Sequence, residues 1–400
     1  MKSAIAITTE IDDIHLAAEE LVTQIRGRIE PAQNSIAIAI CDADVDVAGL
    51  SRLVNAELGV DVVGLTTVAT LERNRGYSDM GVLLSFLTAD DVSFAAGYTG
   101  ALSMDNLVPE VKEAYKKARC AVPEEPKLIL TFAPYIADLT ADSYVDALNE
   151  ASGGVPVFGG VANDHHDLLY QRTIINGQAS TDSLVFLLIS GNIKPVFAME
   201  HHFGTKVEKK GKITKSTRNF IERIGDQTLK EYVSSIIPVP DEELVLFHFL
   251  STPFVMELPD YEDYEEAVVR ALSTVDHQTG AGGFLSNMPE GSTICINVFQ
   301  RENIKESCRG TLSGIVERMK RNSDYDYSMV FISSCSARHI LMGNAKNMES
   351  DIIGEKLSSF PQSLNLAGYY SLGEMCPTGI KKDGRAKNRY HNFSFAVCAI

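Results

Sequence analysis

The chain has 400 residues, 45% of them hydrophobic, and a formal charge of -17 at pH 7. That length fills more than one sizeable core, and that charge repels nucleic-acid phosphates and anionic membrane surfaces, leaving small ligands as the natural partners. The stretch from Met1 to Ile11 has no continuous apolar region, and no apolar run approaches the roughly 20 residues of a membrane helix, so neither membrane insertion nor nucleic-acid binding is expected and a cytoplasmic location is.

In chain order, apolar runs predict a strand at Ile36 to Ile40, a helix at Val47 to Leu58, a strand at Val60 to Thr67 through Gly64, and a strand at Met80 to Leu87. The same order returns in Lys127 to Ala133, Ala141 to Ala151, Val155 to Val161 with Gly159-Gly160, and Ser183 to Ile189. It is read a third time as Leu244 to Leu250, a helix at Tyr261 to Leu272, Gly280 to Leu285, and Thr293 to Phe299. A fourth copy runs through Met329 to Ser334, a helix within Met348 to Phe360, Leu366 to Ser371 with Gly368, and Phe393 to Ile400. Helices at Val108 to Ala118, Arg218 to Ser235 and Ile304 to Arg321 separate the copies. The fold class expected is α/β (mixed α+β), with two domains, each of two β-α-β-β units with mixed sheets. The polar Lys206 to Arg218 segment and the Ile236-Ile237-Pro238-Val239-Pro240-Asp241 connector mark a boundary, dividing the chain into residues 1–237 and 238–400. The acidic run Asp260, Glu262, Asp263, Glu265 and Glu266 reads as the first turn of a helix and not as a metal site.

Several familiar chemistries are missing. Seven scattered cysteines include no Cys-x-x-Cys pair, which predicts reduced thiols and no structural zinc. No phosphate-binding loop occurs, and Gly280-Ala281-Gly282-Gly283 lacks the last glycine of a dinucleotide fingerprint. His165-His166 and His201-His202 are adjacent pairs, whose side chains diverge on a strand, so no metal is expected; spacing does leave a single haem-ligating histidine open. Polar groups do gather at predicted strand ends, where open α/β sheets bind ligands. They are Cys335 and Arg338, then Tyr369, Ser371 and Glu374, then His391 and Asn392, with Asn163 and Asp164 after Gly159-Gly160. Cys335 with His391 and Glu374 has the makings of a thiol nucleophile, its base and an orienting group; a strand-end thiol is also a common buried hydrophobe. Arg338 can clamp an acidic group with two hydrogen bonds or pair internally with Glu374. The basic segment Lys381, Lys382, Arg385, Lys387 and Arg389 reads as a solvated excursion, with a gating loop as the alternative.

Three ordered segments carry a family resemblance: Ser334-Cys335-Ser336-Ala337-Arg338, then Gly368-Tyr369-Tyr370-Ser371-Leu372-Gly373-Glu374-Met375, then Tyr390-His391-Asn392-Phe393-Ser394. They resemble the Ser-Cys-x-x-Arg, Gly-Phe-Tyr-x-x-Gly-Glu-Ile and Phe-His-Asn-x-Thr motifs of the FIST family, and Gly159-Gly160-Val161-Ala162-Asn163-Asp164 resembles its Gly-Gly-x-Ala-x-Asp. One departure stands out. Where the N-terminal FIST domain usually reads Gly-Cys-Ser-Thr-Ala-Gly-Glu-Ile, this chain has Gly64-Leu65-Thr66-Thr67-Val68-Ala69-Thr70-Leu71, without the cysteine or the glutamate. The resemblance implies a sensory, ligand-binding protein with an N-terminal and a C-terminal FIST domain. It implies a small polar ligand such as an amino acid, with Arg338 meeting its acidic group, Glu374 its amino group, and His391, Asn392, Ser371 and Tyr369 fixing orientation, while Asn163 and Asp164 complete the site. A stand-alone sensor without catalysis is expected, one that signals through a separate kinase, cyclase or similar protein. No cofactor is expected. The alternatives are a haem-binding nitric oxide sensor and a cysteine-dependent enzyme using Cys335.

Overall fold

The computed structural model describes residues 1–165, 168–201, 205–237, 250, 252–257 and 267–400, the side chains of 205 and 206 excepted. The expected strand over 244–249, connector 238–241, acidic run 259–266 and the second histidine of each pair, His166 and His202, lie outside the described residues.

One order of elements, strand, helix, strand, helix, strand, hairpin, strand, recurs three times. In the first unit it is Lys2–Thr8, Ile14–Arg26, Asn34–Asp42, Val47–Leu58, Asp61–Thr67, the hairpin Thr70–Glu72/Gly76–Ser78, and Val82–Ala89. The second unit is Val92–Tyr98, Leu107–Arg119, Pro126–Ala133, Ala141–Ser152, Val157–Val161, Thr173–Ile175/Gln178–Ser180, and Val185–Gly191. The third begins at Val196–Glu200 and resumes at helix Arg301–Arg321, followed by Met329–Cys335, helices Ser336–Met342 and Met348–Leu357, Asn365–Ser371, Glu374–Ile380/Ala386–His391, and Phe395–Ala399. The class is mixed α/β, as expected, and the sheet of each unit is mixed: the two strands flanking the second helix pair in parallel and all its other pairings are antiparallel.

The hairpins are exchanged. The first unit's hairpin completes the third unit's sheet by pairing with Asn365–Ser371. The second unit's pairs with Asp61–Thr67 of the first, and the third unit's with Val157–Val161 of the second. The registers correspond residue for residue. Across the three sheets one row reads Leu83, Ile40, Leu65, Thr173; another Val185, Phe132, Gly160, Glu374; the third Ala396, Ser333, Tyr369, Thr70. Side chains alternate across a strand. Ile36, Ile38 and Ile40, with Leu128, Leu130 and Phe132 and with Met329 and Phe331, therefore turn into one central core shared by all three sheets. The intervening Ala37, Ala39, Ile129, Val330 and Ile332 turn outward against each unit's own helices. Burial on both faces explains the nearly unbroken apolar strands.

Residues 205–298 are an insertion in the third unit, and here the sequence reading needs correction. Thr205–Thr217, expected to be a boundary loop, is a strand pairing with Thr293–Val298. The helix expected over 218–235 is confined to Leu229–Ser234, capped reciprocally by Thr228 and Glu231, because Gly225 at φ 58° turns the chain into the hairpin Phe220–Ile224/Gln227–Thr228. The described end of the expected 261–272 helix is instead the strand Ala267–Arg270, paired with Phe254–Glu257, followed by Leu272–Val275. Adjacent β-branched Val268 and Val269 suit a strand better. The fourth copy is thus the third unit, and an antiparallel sheet occupies the place of the third copy. Among the described residues, no helix is long and apolar enough to cross a membrane.

Each borrowed hairpin lies against a glycine-bearing strand. A Cβ on Gly64 would come 1.8 Å from the Ala39 carbonyl oxygen, and one on Gly159 would come 1.9 Å from that of Thr131. Gly159→Ala, at φ 153°, is expected to cost more than about 3 kcal/mol through forced overpacking. Gly225→Ala, with nothing within 4 Å of the added carbon, should cost about 1–2 kcal/mol from its left-handed backbone alone. Urea denaturation of both variants measures the difference; equal losses would show that the close approach is not the constraint.

Candidate ligand-binding site

The third unit concentrates polar groups where its parallel strands end. Met329–Cys335 and Asn365–Ser371 pair with Cys335 opposite Ser371, and the chain turns at once into the hairpin that begins with Glu374. Gly373, at φ 124°, allows this turn, and its lack of a side chain admits the Tyr390 ring.

Glu374 is fully buried, and its carboxylate oxygens accept from Ser371 Oγ at 2.8 Å, Ser394 Oγ at 2.6 Å and the Ser394 amide at 3.2 Å. Ser371 Oγ also lies 3.0 Å from Ser333 Oγ. Among the described residues no Lys, Arg or His makes an ion pair with this carboxyl. Burial pushes its pKa up to about 8, against the pull of the Ser394 and Ser371 hydrogen bonds. It therefore holds a proton at neutral pH.

Opposite Glu374 on the hairpin stands His391, also buried. Its Nε2 lies 3.1 Å from the Cys376 carbonyl oxygen, which can only accept, so Nε2 carries the proton and Nδ1 accepts from Nε2 of His201 at 3.1 Å. Burial lowers both histidines, His201 to about 3 and His391 well below its ordinary value, so the pair is neutral. With both nitrogens engaged, His391 in this arrangement offers no lone pair to haem iron. Tyr369 lies on the same inner face, in the row with Ser333 and Thr70.

The other expected site residues are placed elsewhere. Arg338, on helix Ser336–Met342, is wholly buried and turned away from Glu374. Nε donates to Glu349 Oε1 at 2.8 Å, Nη1 to Ser307 Oγ at 2.7 Å and Nη2 to the Ile304 carbonyl at 3.1 Å, with the Phe395 ring beneath. Ser334 Oγ donates to the same Glu349 carboxylate. The guanidinium is thus engaged by protein groups, and neither of the sequence expectations for it, a ligand clamp or a pair with Glu374, matches this geometry. Asn392 faces the inserted sheet: its Oδ1 accepts from the Ala271 amide at 3.3 Å and Ser286 Oγ at 2.7 Å. Asn163 and Asp164 belong to a loop peculiar to the second unit and lie over the first unit's strand ends, the Asn163 amide donating to the Thr66 carbonyl. Asp164 accepts from the amides of Leu168, Leu169 and Tyr170, which fixes the loop. Beyond it, His165 Nε2 is 3.3 Å from Asp42 and 3.4 Å from Asp44, a set of oxygen and nitrogen donors that could hold a divalent cation.

Cys335 is buried, and its thiol is pushed up by that burial and by the charge of Glu374. That is the reverse of the lowered pKa a nucleophilic thiol needs. Of the basic segment, Lys381, Lys382 and Arg385 form the tip of the hairpin Glu374–Ile380/Ala386–His391, with Gly384 at φ 84° and Arg385 paired with Asp383, whereas Lys387 and Arg389, expected in the same solvated excursion, lie half-buried in its second strand. Sequence reasoning missed Glu349, Ser307, Ser333, Ser394 and His201. Of these, Ser394 closes the Tyr390-His391-Asn392-Phe393-Ser394 motif, Ser333 directly precedes Ser334-Cys335-Ser336-Ala337-Arg338 and His201 belongs to a histidine pair, while Glu349 and Ser307 carry no such signal.

A small cavity of about 20 Å³, room for roughly one water, lies where the second unit, the third unit and the inserted sheet meet, lined by Tyr135, Leu139, Tyr144, Val161, Leu285 and Tyr390.

Residues 35–227 match the FIST N domain and residues 227–377 the FIST C domain. The chain belongs to the FIST family. FIST domains are in general sensory, ligand-binding domains of signal transduction. The uncharacterized protein MJ1623 of Methanocaldococcus jannaschii is 22% identical over an alignment of 361 residues, gaps included, that covers 83% of this chain and 66% of that relative. This FIST chain therefore spans just under two thirds of the relative's length. Two solved cyanuric acid hydrolases are also similar, one from A. caulinodans at 16% identity over 50% of this chain and 70% of that one, the other at 10% over 74% and 100%. Their TM-scores, 0.29 each, carry no argument about fold or activity. The threefold order above comes from the strand pairings alone. Thr70, where the N-terminal motif lacks its glutamate, and Glu374 occupy the same register position.

Two outcomes are expected of the buried charges. Arg338→Ala strands the Glu349 carboxylate and should cost about 3–5 kcal/mol in urea denaturation; a loss under about 1 kcal/mol would show that the pair anchors nothing. For Glu374 the folded pKa lies above the unfolded one, so the folded state holds the extra proton and stability is lost as pH rises from about 4.5 through about 8. The stability difference between wild type and Glu374→Gln should therefore shrink by a few kcal/mol, as an order of magnitude, between pH 5 and pH 8. A difference independent of pH would contradict the assigned protonation.

Proposed function

We propose that this FIST protein is a cytoplasmic sensor that binds a small polar metabolite, an amino acid or a related amine, without catalysis, and passes the signal to a separate protein. The observation that carries the reading is Glu374, a fully buried carboxyl surrounded by hydroxyl donors and lacking a cationic partner among the described residues. Such a group is costly to ionise alone, and a ligand ammonium arriving beside it supplies the missing charge. Ser371 and Ser394 already orient the carboxylate oxygens. The neutral His201–His391 pair and Tyr369 add polar groups without adding charge. Binding is then coupled to a proton: the protonated carboxyl must ionise to pair with the ammonium, so the proton leaves. The ordinary, unactivated state of Cys335 supports the non-catalytic part of the reading.

Isothermal titration calorimetry with a panel of amino acids and primary amines tests this at pH 7 in two buffers of different ionisation enthalpy. A binding member should release roughly one proton per site, its N-acetylated form should not bind, and Glu374→Gln should abolish both heat and proton release. Binding that survives Glu374→Gln, or an acetylated ligand that binds equally well, would remove Glu374 from the recognition step.

A further inference from the structure

The insertion 205–298 has the construction of a separate body. Its apolar cluster, including Ile213, Ile221, Leu229, Phe254, Phe284 and Ile296, is built from its own residues. Its two connections to the third unit leave side by side, because Thr205 pairs with Val298, so among the described residues a two-stranded neck joins it to the rest. Four of its polar attachments to the strand ends, among the described residues, fall on two side chains. Asp142, in the first turn of the helix Ala141–Ser152, accepts from Arg270 Nη2 at 3.2 Å and from the Asn287 amide at 2.9 Å. Asn392 accepts from the Ala271 amide and from Ser286 Oγ, while Leu285 closes the small cavity between these two points. Arg270 Nη1 reaches the Tyr390 carbonyl at 3.2 Å, and Thr140 Oγ1 reaches Asn287 Oδ1 at 2.8 Å.

A body with its own core, one neck and a few polar contacts moves as a unit, since opening it exposes little of its interior. Asn392 adjoins His391, which faces Glu374 across the hairpin, so the contacts that hold the insertion down lie beside the carboxyl that the proposed ligand must reach. We propose that the inserted sheet is a lid over the strand ends, latched by Asp142 and Asn392, and that its release admits the ligand to Glu374. This rests on the ligand-binding reading of Glu374 for its purpose, not for its mechanics. Apolar contacts also join lid and body: Val269 and Ala271 belong to the third unit's outer core, and Phe299, just past the neck, packs its ring 5.8 Å from that of Phe393. These set the closed position, while the latch sets how often it is left.

Hydrogen exchange of the full chain without ligand tests the lid. The Ala271 and Asn287 amides donate directly to the two latch side chains and report opening. Ser286→Ala removes one latch donor, and Asp142→Asn weakens the other point without changing its shape. In either variant these two amides should exchange at least 10-fold faster, while Ile221, Ile294 and Ile296 in the lid's own core keep wild-type rates. Unchanged exchange at Ala271 and Asn287 in both variants, or acceleration spread equally through the lid core, would overturn the latch. Because this is read without ligand, it can fail while amine binding at Glu374 stands, and amine binding can fail while the latch stands. If both hold, the double variant Ser286→Cys, Asn392→Cys, at positions whose native Oγ and Oδ1 atoms are hydrogen-bonded at 2.7 Å, should block amine binding when oxidised and restore it when reduced.

Discussion

The exchange of hairpins between units is the constraint on which the rest of this structure depends. No unit can complete its own sheet: the strand that ends each parallel pair presents an edge that only another unit's hairpin covers. Covering that edge three times in a cycle ties each unit to the next and brings the inner faces together into one core. It also fixes where glycine must stand: the parallel neighbour's backbone leaves no room for a Cβ at Gly64 or Gly159, and at Gly368 Leu71 of the borrowed hairpin and Ile332 of the neighbouring strand crowd the point from two sides. A consequence for function follows from chain order. Glu374 and His391 leave the third unit's strand covalently, yet they pair within the second unit's sheet, so the candidate site lies on a seam between units and not inside one.

Two buried carboxyls on that part of the chain meet the cost of burial in opposite ways. Glu349 is matched by a guanidinium whose three nitrogens are each engaged, and its oxygens also receive Ser334. Such a pair is strongly destabilising to break and adds little over an apolar alternative, which suits a structural anchor. Glu374 receives hydroxyls and one amide, which orient it without neutralising it, and stays neutral by keeping its proton. The first arrangement is closed to a ligand because nothing remains to be satisfied. The second is stable only while it is protonated or supplied with a cation, which is the property a binding site for a cation needs.

The sequence made the class, most strands and the strand-end polar groups visible because both signals are local. Periodic apolar runs define elements, and Ser371, Glu374, His391 and Asn392 sit within a few residues of strand ends. Copy number was misjudged for a physical reason: within 205–298 the long strand Thr205–Thr217 is rich in Lys and interrupted by bulges between Lys206 and Lys210 and between Ile213 and Ser216, and the other described strands have six residues or fewer. A period of two is invisible in such a strand. The role expected of Arg338 failed because its partner, Glu349, lies on a different helix with no motif around it, and the acidic residue near in sequence, Glu374, was the wrong one. Ion pairing between elements is not a local property, so no reading of spacing alone could choose between them.

The threefold register gives the polarity of the third unit its meaning. At the row that faces the central core, the first unit places Ile40 and Leu65, the second Phe132 and Gly160, and the third Ser333 and Tyr369. The position that opens each hairpin holds Thr70, Thr173 or Glu374. Two copies keep the apolar residues that a shared core favours, and one departs from them toward hydroxyls and a carboxyl. Burying those groups opposes folding unless something compensates, so a fold that needed only three matching sheets would favour the apolar choice in all three. The insertion interrupts this same unit, and its contacts at Ala271 and Ser286 end on the residue beside His391. The departure from symmetry in polarity and the departure in topology therefore fall at one place, which is the arrangement expected where binding, rather than folding, has determined the residues.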